Sequence, residues 1–108
     1  MAGPISKKAL RDASPADVLP YEVCRKYGEP KLFGSLGQAR EAVLNDLNDL
    51  EDLVGRIGTD EDRARLKALR ADLTTRLAGD FDRVEADELV DSYTGVRYNV
   101  TVTDRRRA

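Results

Sequence analysis

Carboxylates are the most abundant side chains of this 108-residue chain that could do chemistry, and eleven of the twenty form three runs. Their oxygen atoms are the ligands that hard cations such as Mg²⁺ and Ca²⁺ prefer. No run has the ligand spacing and central glycine of an EF-hand loop. We therefore interpret the runs as helix caps and solvated helix faces, and we predict no metal site and no cofactor. They comprise Asp46, Asp49 and Asp52; Asp60, Glu61 and Asp62; and Asp80, Asp82, Glu85, Asp87 and Glu88.

Nucleophilic catalysis has little support, because the chain contains no histidine, the commonest general base and metal ligand. The single cysteine, Cys24, lies beside Arg25 and Lys26, which only modestly favour a thiolate. The segment Gly34-Ser35-Leu36-Gly37 lacks the lysine and the preceding strand of a phosphate-binding loop. We predict a non-enzymatic protein with no catalytic residue and no evident small-molecule substrate. An enzyme that uses carboxylates alone, with or without a metal ion, is the weaker alternative.

The distribution of charge is uneven along the chain. Residues 1–34 hold six basic and four acidic side chains, a net charge of +2. Residues 35–91 hold eight basic and fifteen acidic side chains, a net charge of −7. Residues 92–108 hold four basic side chains and one acidic side chain, a net charge of +3, so the whole chain carries −2. Phosphate or an acidic partner are possible contacts for Arg105, Arg106 and Arg107 in the C-terminal part. Because the chain as a whole is acidic and has no basic helical stripe, we rank nucleic-acid binding below protein binding.

Cysteine content and hydropathy give an expectation about location. One cysteine allows no internal disulfide and is compatible with a reducing compartment. No apolar run approaches the roughly 18–20 residues of a membrane span, and the N-terminus lacks the apolar segment of a signal peptide. We expect a cytoplasmic protein, or one incorporated into an assembly formed there, without a membrane partner.

The middle of the chain, residues 35–79, carries the periodicity of two helices. Ser35 and Gln38 fit a capping box, and apolar residues then recur every three or four positions. Gly58 is well placed to stop this helix, and Thr59 to cap a second one. A connection this short makes the helices antiparallel neighbours. The two apolar stripes are Leu36, Ala39, Val43, Leu47, Leu50, Val54 and Ile57, and then Leu66, Leu69, Leu73 and Leu77.

A leucine repeat inside the first helix makes its apolar face unusually wide. Leucine at every third position rotates around the helix by about 60° each time, because a residue advances by about 100°. The four leucines therefore sweep about half of the helix circumference, which is more than one neighbouring helix covers. We predict that they contact the hairpin partner and, in addition, either the N-terminal arm or another chain. They are Leu44, Leu47, Leu50 and Leu53.

Both ends of the chain are predicted to be attachments of the helical pair. Residues 1–34 contain all four prolines, and we expect an arm with two short helical turns, one beginning at Ser14-Pro15 and one from Pro20 to Tyr27. We expect a short helix at Phe81–Val84, then a β-hairpin with strands near residues 89–93 and 96–103. Its alternating apolar residues, Val96, Tyr98, Val100 and Val102, are candidates for pairing with another molecule.

These patterns together predict a mainly α fold, in which an antiparallel helical hairpin carries an irregular N-terminal arm and a short C-terminal β-hairpin. The segments are 1–34, 35–79, 80–104 and a basic tail at 105–108. We predict a structural or interaction subunit of a larger protein assembly, such as an accessory protein of a virion, which binds a protein partner or itself. The alternative is a small regulatory protein that binds nucleic acid or a transcription factor through its basic ends.

Overall fold

Two helices pack on one face of a four-stranded antiparallel sheet in the computed structural model of this protein, which describes residues 15–107. The sheet order is β2-β1-β4-β3, so the strand that comes first in the chain lies next to the one that comes last. The strands are β1 (Tyr21–Arg25), β2 (Lys31–Phe33), β3 (Arg83–Asp91) and β4 (Val96–Asp104), and the helices are α1 (Leu36–Ile57) and α2 (Asp60–Arg76).

The helical pair predicted from the sequence is confirmed, including both of its N-caps. The Ser35 hydroxyl accepts a hydrogen bond from the Gln38 amide at 3.2 Å. Thr59 and Asp62 form a reciprocal capping box at the start of α2. Because each cap satisfies backbone N–H groups that have no partner within the helix, these residues fix where the two helices begin.

The mainly α fold class is wrong, because strand residues make up 28% of the described chain against 42% helix, and the fold is α+β. Four strands form one sheet, whereas the sequence pattern indicated only a hairpin. Strand β4 agrees with the prediction. Strand β3 begins at Arg83, so the expected helix at Phe81–Val84 is absent from this segment.

The N-terminal arm differs from the prediction in the same way. The segment from Pro20 to Tyr27 contains the strand β1, which pairs with both β2 and β4, rather than a short helix. The local signal of a proline at a helix start was outweighed by the burial of Val23 in the core and by the pairing of this segment with β2 and β4. A single turn does follow Pro15, whose carbonyl accepts from the amides of Val18 and Leu19. Ser14, the predicted cap of that turn, lies outside the described residues.

The core lies between the sheet and the helical pair, and it takes residues from all three parts of the described chain. Strand β1 contributes Val23, α1 and α2 contribute their apolar stripes, and β3 and β4 contribute alternate residues, as expected for a sheet that is covered on one face. The buried apolar residues are Val23, Ala39, Val43, Leu47, Val54, Leu66, Leu69, Leu73, Leu77, Val84, Ala86, Val90, Tyr98, Val100 and Val102.

Candidate protein-binding tip

The leucine repeat is largely used within the chain. Leu47 is fully buried, and Leu44 and Leu50 pack half-buried against the core. Helix α1 contacts α2 and also β1, β2 and β3, so the arm and the sheet cover the face that one helix does not. The sequence predicted that the leucine face contacts either the N-terminal arm or another chain in addition to α2, and the structure shows contact with the arm. Leu53 remains 37% exposed.

The alternating residues of the last strand are likewise turned inward. Tyr98, Val100 and Val102 are buried in the core, whereas Val96, the first residue of β4, is 38% exposed. Only Val96 is thus placed to contact another molecule directly.

The three C-terminal arginines are held by groups of the same chain. The Arg105 guanidinium donates to the Leu19 carbonyl at 2.7 Å, and Arg106 donates to both carboxylate oxygens of the buried Asp104. Arg107 forms longer ion pairs with Asp80 and Asp82. These contacts compete with any external phosphate, so the arrangement favours a structural role for the run.

The acidic runs do not converge on a metal site within residues 15–107, where no three His, Cys, Asp or Glu side chains lie close enough to hold a metal ion. Asp46 accepts from Arg25 Nε at 2.6 Å and from the Tyr98 hydroxyl at 2.7 Å, which ties α1 to β1 and β4. Burial, together with this hydrogen bond to Asp46, raises the pKa of the Tyr98 hydroxyl far above its usual value, so Tyr98 stays a donor.

Four of the six large apolar side chains that are exposed within residues 15–107 lie towards one end of the molecule, which we call the tip and define as Leu53, Ile57, Tyr93 and Val96; the other two are Val18 and Tyr27. The exposed fractions of the four tip residues are 37%, 52%, 89% and 38%. Leu53 and Ile57 lie near the end of α1, Tyr93 belongs to the β3–β4 connection, and Val96 is the first residue of β4. Hydrogen bonds between Asp62 and Ser92 hold the two connections together, so the four side chains share one end.

The connection that carries Tyr93 is shaped by a β-bulge. The pairing of β3 with β4 shifts between Leu89 and Asp91, so Val90 is an extra residue and both Val90 and Asp91 are buried. The Gly95 amide donates to the Asp91 carbonyl at 2.8 Å, and Gly95 has φ 75°, a conformation that favours glycine. The chain thereby returns into β4 within four residues.

Two fully buried carboxylates hold this connection in place by accepting hydrogen bonds from it. Asp91 accepts from the Tyr93 amide at 3.0 Å and from the Thr94 hydroxyl. Asp62 accepts from the Ser92 hydroxyl at 3.0 Å and from the Ser92 amide. These hydrogen bonds hold the backbone of Ser92 and Tyr93 in position.

Asp62 also belongs to the capping box of α2 and pairs with Arg65 at 3.0 Å. Burial alone would raise its pKa, but the hydrogen bonds from Thr59 and Ser92 outweigh burial and hold the pKa of Asp62 below its ordinary value. Asp62 therefore remains charged at neutral pH, and one side chain joins the helical connection to the strand connection.

Sequence reasoning missed the tip. Its capping carboxylate, Asp62, was correctly placed at the start of α2, but the contact with Ser92 spans thirty residues and leaves no local signal. Thr94-Gly95 lies between the two predicted strands, and Thr-Gly is a weaker turn signal than Asn-Gly. Tyr93 was placed at the end of a predicted strand at residues 89–93, so its 89% exposure was not anticipated.

Comparisons with protein-family models, with curated protein sequences and with solved structures gave no significant match. Within residues 15–107, neither helix has the length and apolar character needed to cross a bilayer.

Proposed function

We propose that this chain is an interaction subunit of a larger protein assembly, and that it docks onto a different protein through the tip. The observation that carries the proposal is Tyr93, which is 89% exposed on a connection that two buried carboxylates hold in place. Tyrosine is enriched among the residues that dominate binding energy at protein interfaces. An anchor that is already ordered before binding loses little conformational entropy when it docks.

We expect the other tip residues to form the apolar surround that such an anchor requires. Leu53, Ile57 and Val96 add aliphatic surface at the same end of the molecule. A well-packed apolar contact of this kind excludes water from the centre of an interface. A pocket for one aromatic ring, bordered by aliphatic side chains, is the complementary feature expected on the partner.

Charge beside the tip indicates what surrounds that pocket. The side chains of Asp60 and Glu61, at the start of α2, are 100% and 84% exposed, and they also form ion pairs with Arg63 and Arg65 of the same helix. Facing tips of two copies would bring these carboxylates towards one another, which disfavours self-association. Basic side chains around the partner's pocket would complement them, so the expected partner is a different protein with a basic rim.

Site-specific photo-crosslinking in the native host tests the proposal. A photoreactive phenylalanine analogue replaces Tyr93 in one variant and Thr74, an exposed residue of α2, in the matched control. The expected result is one discrete product that contains a second protein from position 93 and none from position 74. In the same experiment, Ile57→Asp should abolish the product. Crosslinking to a second copy of this chain, equal products from both positions, or no product would each refute the proposal.

A further inference from the structure

A cleft lies beside the first half of β4, at the place where β1 ends. The pairing of β1 with β4 stops at Arg25 opposite Val100, whereas the pairing of β3 with β4 continues to Val96. Strand β4 therefore extends four residues beyond its partner on the β1 side. The cleft has a volume of about 410 Å³ and is lined by Arg25, Lys26, Tyr27, Asp87, Arg97, Tyr98 and Asn99.

The backbone beside the cleft is suited to pairing with another strand. In an extended strand, alternate residues direct their N–H and C=O groups to opposite edges, so Val96–Asn99 present some of these groups to the gap. An extended peptide laid along this gap would continue the line of β1 next to β4. Addition of a strand to a sheet edge is an established mode of peptide binding, in which main-chain hydrogen bonds supply affinity and side-chain contacts supply specificity.

The opposite edge of the sheet is less suited to this mode. Along β3, the Glu85 carbonyl already accepts from Arg76 at 2.9 Å, and the Asp87 carbonyl accepts from Arg97 at 3.2 Å. Strand β3 also carries four carboxylates against one arginine. Occupied carbonyls and repeated charge are features that protect an edge strand from pairing.

The charge of the cleft indicates the chemistry of its occupant. Its lining holds three basic side chains and one acidic side chain, so its net charge is +2, or +1 when Asp46, the partner of Arg25, is included. The whole chain carries −2. Lys26 and Arg97 are exposed at the mouth of the cleft, and the Lys26 ammonium lies 5.7 Å from the centre of the Tyr27 ring. Arg97 pairs with the Asp87 carboxylate at 3.0 Å, so a carboxylate between Lys26 and Arg97 would meet the ammonium of Lys26 and share the guanidinium of Arg97 with Asp87.

We infer that this cleft binds a short extended acidic segment of a partner protein, which pairs with Val96–Asn99 of β4 and directs a carboxylate towards Lys26 and Arg97. This inference extends the protein-binding role to a second surface. It does not depend on Tyr93, so either site can fail its test while the other stands.

Titration of the ¹⁵N-labelled protein with blocked peptides tests the inference. The probe is the acetylated and amidated peptide Val-Glu-Val-Glu-Val, and its matched control is Val-Lys-Val-Lys-Val. At millimolar concentration and low salt, we expect the acidic peptide to shift the amide signals of Lys26, Tyr27, Arg97 and Asn99. Added salt should reduce these shifts, because the contact between charges is exposed to solvent.

Two charge reversals provide the decisive comparison. Lys26→Glu should abolish the shifts, whereas Lys67→Glu, at an exposed position of α2, should leave them unchanged. Free glutamate is a further control, because it carries the negative charge of the peptide but cannot pair with β4 as a strand. Shifts of equal size with glutamate or with the lysine peptide, persistence of the shifts in Lys26→Glu, or no shifts at millimolar peptide would overturn the inference.

Discussion

Buried carboxylates in this protein hold segments of backbone in position. The buried acids of the described chain are Asp62, Asp91 and Asp104, with 0%, 0% and 3% exposure. Asp62 and Asp91 bind the β3–β4 connection, and Asp104 binds the amide and guanidinium of Arg106 just after β4. Because a buried acceptor without donors is costly, these contacts explain how three acids are accommodated beside an apolar core.

The hydroxyl of Tyr98 offers a test of such polar contacts at the scale of one atom. Tyr98→Phe removes the donor to Asp46 at 2.7 Å while it keeps the buried ring. We expect the free energy of unfolding to fall by about 1–2 kcal/mol, as for the loss of a hydrogen bond to a charged group. The control is Tyr93→Phe, which we expect to change it by less than about 0.5 kcal/mol, as at exposed positions. Equal effects in urea unfolding would contradict this role of the hydroxyl.

At the scale of elements, capping residues and apolar periodicity predicted both helices and the last strand, because those signals lie within one segment. The strand β1 could not be predicted in this way. Pro20 and Gly28 resemble helix boundaries, and the segment between them becomes a strand only because β4, about eighty residues later, pairs with it. Tertiary pairing of this kind outweighs local propensity.

The turn between the helices shows how the end of a helix can depend on glycine, which has no Cβ atom. Gly58 has φ −79°, so its backbone does not require glycine. A Cβ atom there, however, would lie 2.6 Å from Val54 Cγ1 and 2.7 Å from the Val54 carbonyl oxygen. Gly58→Ala should therefore destabilise the protein by about 1–3 kcal/mol through overpacking.

Gly55 provides the matched control within α1. A Cβ atom at Gly55 would meet nothing within 4 Å. Because alanine loses less conformational entropy than glycine in a helix, Gly55→Ala should stabilise the protein by about 0.5–1 kcal/mol. Thermal unfolding of the two variants measures both effects, and a destabilised Gly55→Ala variant would show that this account of the turn is wrong.

At the scale of the whole molecule, the arm is part of the domain. Val23 in β1 is fully buried, whereas Val18, just before β1, is 64% exposed. The sheet that receives β1 contains the last strand of the chain, so the fold joins the two ends of the described region. The tip could not be foreseen at this scale either, since it forms where two connections far apart in sequence meet.

The pair of valines tests whether the arm contributes to global stability. Val23→Ala should lower the free energy of unfolding by about 2 kcal/mol, from two lost methyl groups and the cavity that remains. Val18→Ala should change it by less than about 0.5 kcal/mol. If β1 were only a loosely attached arm, the two substitutions would have similar effects on the urea midpoint.

Acid should lower the free energy of unfolding, because two buried carboxylates, Asp62 and Asp104, have lowered pKa values in the folded protein. The pKa of Asp62 is lowered, as described above, and the hydrogen bond from Arg106 lowers the pKa of Asp104 against the opposing effect of burial. In the unfolded chain both carboxylates regain the ordinary aspartate pKa of about 3.9, so they bind protons there at a higher pH than in the folded protein. Their contribution to stability is therefore present above about pH 4 and is lost as the pH falls through the folded values.

Urea unfolding at a series of pH values measures this dependence. The midpoint should hold from neutral pH to about pH 5 and then decline steadily below about pH 4. Asp62→Asn should make the decline shallower, because one of the two groups no longer titrates, while Asp60→Asn, on an exposed side chain two residues earlier, should leave its slope close to that of the unchanged protein. A midpoint that stays constant below pH 4, or an equal change of slope in both variants, would mean that the buried carboxylate does not hold the tip in its charged form.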